Sequence, residues 1–212
     1  YTVGLAILAR RNAFRLHEKA RRKEPGKEGM NELWGSTVGI VSLGQVGRKV
    51  AEYMKPFQTE LLGFDPYVSA EDMAALGVTK VELDELLRRS DIVTLHTPAL
   101  PETERMLTAR ELKLMKDNAV LINTARGSVI DEDDLVAELQ TGRIFACLDV
   151  INPEPEGTVS PLRTLPNVFI TPHIAGPPTR RLGLQGVEEV RRFLAGEPAV
   201  YEMTKERLSV TA

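Results

Sequence analysis

Residues 37 to 65 constrain the fold most. Thr37-Val38-Gly39-Ile40-Val41 is a short run of apolar, mostly β-branched residues and reads as a buried strand. It passes into Ser42-Leu43-Gly44-Gln45-Val46-Gly47, and a helical stretch follows from Arg48 to about Lys55. A second strand, Glu60 to Phe64, ends at Asp65, about 20 residues beyond the turn. Strand, glycine turn, helix, strand and terminal acid form the context that a dinucleotide-binding unit requires. Glycine lets the backbone approach a pyrophosphate, and the positive helix N-terminus attracts it. Asp65 can accept hydrogen bonds from both ribose hydroxyls of NAD. It would repel the 2′-phosphate of NADP, and neither Pro66 nor Tyr67 offers an arginine to hold one. One position departs from the pattern. Ser42 stands where the first glycine is usual, so the turn there either avoids positive φ or carries strain.

The rest of the chain extends this unit. Strand and helix patterns alternate, which predicts an α/β domain: a Rossmann-type, doubly wound parallel sheet with helices on both faces. Residues 2 to 22 read as one amphipathic helix with Leu5, Leu8, Phe14 and Leu16 as core positions. A charged loop follows, and Trp34 is expected to pack just before the first strand. Ser69, Thr108 and Asp131 mark capped helix starts, and Gly77 and Gly142 fall where helices end. Asp91 to Leu95 is a further strand, residues 152 to 166 form a proline-rich loop, and Arg180 to Leu194 is the last helix. At 212 residues and 42% hydrophobic, the chain can bury a full core. Its net charge of −3 argues against nucleic acid as a partner, and the basic stretch Arg10 to Lys23 reads as a solvated helix face. The single cysteine, Cys147, lies in an apolar strand. It excludes an internal disulfide framework and suits a reducing, cytoplasmic setting. No apolar run is long enough to cross a membrane, and no metal site is expected. The chain starts at Tyr1 without an initiator methionine, so an upstream part is expected.

Three charged residues follow apolar runs in the second half. Arg126 follows residues 119 to 123, Glu154 follows residues 146 to 150, and His173 follows residues 168 to 172. In open parallel sheets ligands bind beyond the carboxyl ends of the strands. A guanidinium fork can hold a substrate carboxylate there, and an imidazole beside a carboxylate can move a proton as hydride reaches a carbonyl. Taken singly, Arg126 reads as well as a surface ion-pair residue, Glu154 as a solvated loop charge, and His173 as a cap on the chain's turn. His96 either lines the cleft or is a packed imidazole, and His17 has no assigned role.

Together these pieces resemble the D-isomer-specific 2-hydroxyacid dehydrogenases. The matching stretches are residues 38–47, 64–66, 96–98, 101–103, 123–127, 148–150 leading to Glu154-Pro155, and 171–176, in order and spacing. The resemblance implies an NAD-dependent oxidoreductase moving hydride between nicotinamide and C2 of a small D-2-hydroxy or 2-keto acid. It assigns Arg126 to the substrate carboxylate, His173 to the proton on the substrate oxygen, and Glu154 to the carboxylate that favours the protonated imidazole. Gly44, Gln45, Val46 and Gly47 match the pyrophosphate turn, and Asp65 the ribose ligand. Thr97, Pro98, Thr103, Thr124, Ala125 and Asp149 match the path from adenosine to nicotinamide, with Asp149 near the carboxamide. Arg126, His173, Ala175 and Gly176 complete the cofactor contacts. The implied domains are a NAD-binding unit over residues 1–176, with 1–22 as a linking helix, and a C-terminal helix over 177–212 that returns toward a substrate domain whose N-terminal part is absent. A homodimer through the NAD-binding domain is implied. Pro177-Pro178-Thr179 departs from the family, which more often has small or polar residues there. Two relatives of the pattern differ in expectation: a NAD-sensing, corepressor-like module would keep the triad without metabolic turnover, and a formate dehydrogenase expects glutamine in place of Glu154.

Overall fold

The computed structural model describes residues 1–152, 160–176, 180–202 and 204, with the side chain of Arg181 excepted. In chain order the elements are α1 (Thr2–Arg10), α2 (Ala13–Arg21), β1 (Thr37–Val41), α3 (Gln45–Met54), β2 (Glu60–Phe64), α4 (Ala70–Ala75), β3 (Thr79–Lys80) and α5 (Leu83–Arg89). They continue with β4 (Ile92–Leu95), α6 (Ala109–Leu114), β5 (Val120–Asn123), α7 (Glu132–Gln140), β6 (Phe145–Leu148), β7 (Val168–Ile170) and α8 (Arg180–Leu194). One seven-stranded sheet runs in the order β3-β2-β1-β4-β5-β6-β7, and every pairing is parallel. The strand order reverses direction between β1 and β4, which is the switch point where a doubly wound sheet opens a crevice.

Alternation along the strands divides the core. Leu121 faces one side with Leu86, Leu112 and Leu135 of α5, α6 and α7. Its neighbours Val120 and Ile122 face the other side with Leu5, Val50 and Met73 of α1, α3 and α4. That period of two is what a sheet buried on both faces demands. The caps fall where the sequence places them. The Ser69 hydroxyl accepts from Asp72 N–H and the Asp131 carboxylate from Asp134 N–H, while Glu111 accepts from Thr108. Gly77 and Gly142 adopt positive φ just past α4 and α7.

Three expectations are corrected. The first helix is two helices, broken at Arg11-Asn12, where Asn12 adopts a left-handed φ of 54°. Leu8 is exposed, because α1 turns Leu5, Ala6 and Ala9 toward the sheet instead. Trp34 is 63% exposed; Leu33, not the tryptophan, fills the core at that turn. The described residues of α8 are all exposed or half-exposed, with Leu184, Val187, Val190 and Phe193 open to solvent. Among the described residues no helix is long and apolar enough to cross a membrane.

Candidate functional site

The carboxyl ends of β1, β4, β5, β6 and β7 lie side by side, so at a strand spacing of about 4.8 Å this edge spans about 19 Å. Each strand delivers one part of the candidate site.

At β1 the site is made of backbone. Ser42 takes the left-handed φ of 72° that the sequence left open, so serine here carries the conformation usual for glycine. Its amide donates to the Phe64 carbonyl at 2.8 Å, which locks the turn to the end of β2. Gly47 is required by a close approach: a Cβ there would lie 2.2 Å from the Ser42 carbonyl oxygen. Helix α3 starts with Gly44 as N-cap and no side-chain cap, and Gly44, Gln45 and Val46 are exposed. Its first N–H groups therefore face solvent, a cradle that fits a pyrophosphate. Asp65, at the end of β2, is only 6% exposed. Its carboxylate accepts from Leu43 N–H and Tyr67 N–H, both at 2.8 Å, so it braces the two strand-end turns against each other.

At β4, Thr97 is 5% exposed and its hydroxyl is buried without a hydrogen-bond partner. A buried orphan hydroxyl is costly, and one at the crevice edge fits a bound cofactor supplying the missing partner. The following loop is held by Thr103, whose hydroxyl donates to the Pro98 carbonyl at 2.6 Å and accepts from Leu100 N–H at 2.9 Å. His96 Nε2 pairs with the Thr94 hydroxyl at 3.1 Å, and burial pushes the imidazole down to about 4. It is a packed, neutral side chain near pH 7.

At β5, the Asn123 side chain donates to the Arg126 carbonyl at 2.8 Å and accepts from Ala125 N–H at 3.0 Å. The turn Thr124-Ala125-Arg126 is thus wrapped around one buried amide. The Arg126 guanidinium reaches back to the Ala125 carbonyl at 2.7 Å, leaving most of its donors for other partners. Gly127 is the second position fixed by close approach: a Cβ would lie 2.3 Å from the carbonyl carbon of Ile151. The segment leaving β6 toward Glu154 therefore passes directly against the Arg126 turn. Glu154 itself, like Pro177-Pro178-Thr179, lies outside the described residues.

Beyond β6 and β7 the site is organised by a buried carboxylate. Asp149, 1% exposed, accepts from the Thr171 hydroxyl at 2.5 Å, Ile174 N–H at 2.9 Å and Ala175 N–H at 2.7 Å. Its carbonyl accepts from His173 N–H at 2.8 Å. His173 sits exposed at the crest of this turn with a φ of 51°. Ala175 and Gly176 continue the same loop. The resemblance puts Asp149 near the carboxamide; in the fold its carboxylate is bonded to the histidine turn. Residues that sequence reasoning passed over also matter here. The Tyr1 hydroxyl pairs with Thr171 Oγ1 at 2.8 Å, and the Thr2 hydroxyl with Thr124 Oγ1 at 3.1 Å, so the start of α1 touches both the His173 turn and the Arg126 turn. Asn123 could have been found from the sequence, since an asparagine between a strand and a short turn signals a side-chain-bonded turn. The two threonine contacts leave no such trace.

Residues 3–175 match the family model for the D-isomer specific 2-hydroxyacid dehydrogenase, NAD binding domain. The chain is 37% identical over 206 residues to a D-3-phosphoglycerate dehydrogenase of Methanocaldococcus jannaschii, covering 93% of this chain and 39% of that protein. It superposes with a TM-score of 0.82 on the NAD+ complex of D-lactate dehydrogenase from Lactobacillus jensenii, at 25% identity over 96% of this chain and 67% of that one. It superposes equally, at 0.82 and 30% identity over 97% and 86%, on a D-isomer specific 2-hydroxyacid dehydrogenase from Xanthobacter autotrophicus in complex with NADPH and MES. The chain spans 28 to 39% of the length of the first curated relatives it matches.

Proposed function

The chain belongs to the D-isomer specific 2-hydroxyacid dehydrogenases and carries their NAD-binding domain, and from that premise we propose that the whole protein interconverts a small D-2-hydroxy acid and its 2-keto acid. The observation that supports this most is the placement of the Arg126 turn and the His173 turn on strands β5 and β7, two strand spacings or about 10 Å apart, with buried Asp149 between them. When bound, the nicotinamide donates or accepts the hydride at C2. The guanidinium of Arg126 holds the substrate carboxylate through its planar fork. His173 gives its proton to the carbonyl oxygen as charge develops there, and takes it back in the other direction. Glu154 is our candidate for the carboxylate partner of that imidazole. Gly44, Gln45, Val46 and Gly47 present the pyrophosphate cradle, and Thr97, Thr124 and Ala125 line the way to the nicotinamide. Asp65 holds the ribose hydroxyls and selects NAD(H), since a 2′-phosphate would face its carboxylate.

The exposed apolar residues of α8 support a larger protein in which a substrate domain covers them. We place the protein in the cytoplasm, as a homodimer through this domain. The test is a panel of 2-keto acids assayed with NADH and NADPH on the whole protein, beside His173→Ala. The variant should lower kcat about 10²-fold or more with NADH affinity nearly intact. Undiminished turnover would remove His173 from the mechanism, and a preference for NADPH would remove Asp65 from its role.

A further inference from the structure

The opposite edge of the sheet holds a second concavity, of about 170 Å³, which the dehydrogenase reading does not use. Its floor is Val120 and Phe145, the first residues of β5 and β6, so it lies about one strand length, about 13 Å, from the ends that carry Arg126 and Asp149. Its walls carry Arg10 and Arg15, with Asn31 and Asn118 adding polar groups. Arg10 Nε is buried and has no hydrogen-bond partner. The Arg15 guanidinium lies 5.0 Å over the Phe145 ring, and burial lowers its pKa, the mark of a cation drawn partly out of water. Among the described residues neither arginine forms an ion pair. The carboxylates that border the region are held by other cations: Glu28 by Lys19 at 3.2 Å, Glu32 by Arg11 at 3.9 Å, and Asp117 by Arg143 at 3.4 Å. The C-terminal end of α1 and the N-terminal end of α2 meet here, so their dipoles offset and the field rests on the two guanidinia.

We propose that this basal concavity binds a small free oxyanion of the phosphate or phosphomonoester class, gripped by Arg10 and Arg15. Two half-buried guanidinia with idle N–H donors are costly alone, and a tetrahedral oxyanion satisfies several donors at once. Amide groups of Asn31 and Asn118 supply neutral donors at the rim, and the ring of Phe145 excludes water beneath the charge. The apolar floor suits a compact anion better than an extended one. The same chemistry could be met by a side-chain carboxylate of a second copy of this chain, and the experiment separates the two sources.

Inorganic phosphate is titrated calorimetrically into the purified chain, with saturating NADH present so that the glycine turn at β1 is already filled, and with ionic strength held constant by chloride. The expected result is a saturable isotherm. Arg10→Gln and Arg15→Gln should each weaken it about tenfold or more, and together abolish it, with NADH affinity unchanged. Arg10→Lys and Arg15→Lys, which keep the charge but lose the fork, should fall between and guard against a variant that fails to fold. A wild-type response no larger than that of chloride overturns the proposal, as does phosphate binding that survives in the double variant. Sedimentation completes the test: a phosphate-silent wild type whose association changes in the double variant assigns the arginines to a carboxylate of the second copy, and the free-anion site falls.

Discussion

The two ends of the candidate site are built from different materials. At β1 the ligand-facing atoms are N–H groups of a turn, and side chains matter by being absent, as at Gly47. At β6 and β7 the histidine turn is shaped by the side chain of Asp149, which satisfies one hydroxyl and two backbone amides from inside the fold. A backbone-built site tolerates changes in what its side chains are but not in how much room they take. A site braced by a side chain tolerates the reverse, since its geometry depends on one group's chemistry.

The largest expected effect tests that contrast directly. Asp149→Ala removes the acceptor of two buried or half-buried N–H groups and should cost about 3 kcal/mol or more in urea unfolding. Asp149→Asn keeps one acceptor and should cost less. A loss under about 1 kcal/mol for the alanine variant would show that the turn holds itself.

His96 stands on β4's end between the two regions and carries the next effect. Its folded-state value of about 4 lies below the ordinary 6.5, so the folded chain resists a proton that the unfolded chain takes up. This contribution is fully present above pH 6.5 and is lost as pH falls toward 4, by up to about 3 kcal/mol. The difference in stability between wild type and His96→Gln, followed from pH 7 to 4, should shrink over that window. A constant difference would mean that the imidazole is not desolvated.

Gly47→Ala should act on space alone. The added methyl meets a backbone oxygen that cannot swing aside, so about 2 kcal/mol of stability and about tenfold in NADH affinity should go. Fluorescence titration with NADH reads this, and unchanged affinity would move the cofactor away from the turn. Ser42→Gly is the smallest change. Relief of a left-handed serine should stabilise the chain by about 1 kcal/mol, measured as a rise in Tm, while NADH affinity holds. A fall in stability would mean that the long 3.4 Å contact of the Ser42 hydroxyl to Asp65 outweighs the strain.

The same contrast explains what the sequence conveys. Glycine spacing, strand alternation and helix caps are local, so β1, the turn at Gly44, the capped starts at Ser69 and Asp131 and the whole of α8 are readable from adjacent residues. The break at Asn12 is not, because Arg11-Asn12-Ala13 contains no glycine or proline and only a left-handed φ marks it. Trp34 misleads because a large ring normally packs, and here the fold spends its neighbour Leu33 instead. Arg126 and His173 can be named from their strand ends, but the bracing role of Asp149 depends on groups more than 20 residues away.

The contacts at the start of α1 have a mechanical consequence. Tyr1 and Thr2 bond to Thr171 and Thr124, each two residues ahead of His173 and Arg126, while Arg10 at the other end of the same helix lines the basal concavity. Nine residues of helix make a lever about 14 Å long, so a tilt of about 5° about its basal end carries the tip about 1 Å. Both the Thr171 turn and the Thr124 turn bond to that tip, so a tilt of this size would reach the histidine and arginine turns through the same helix.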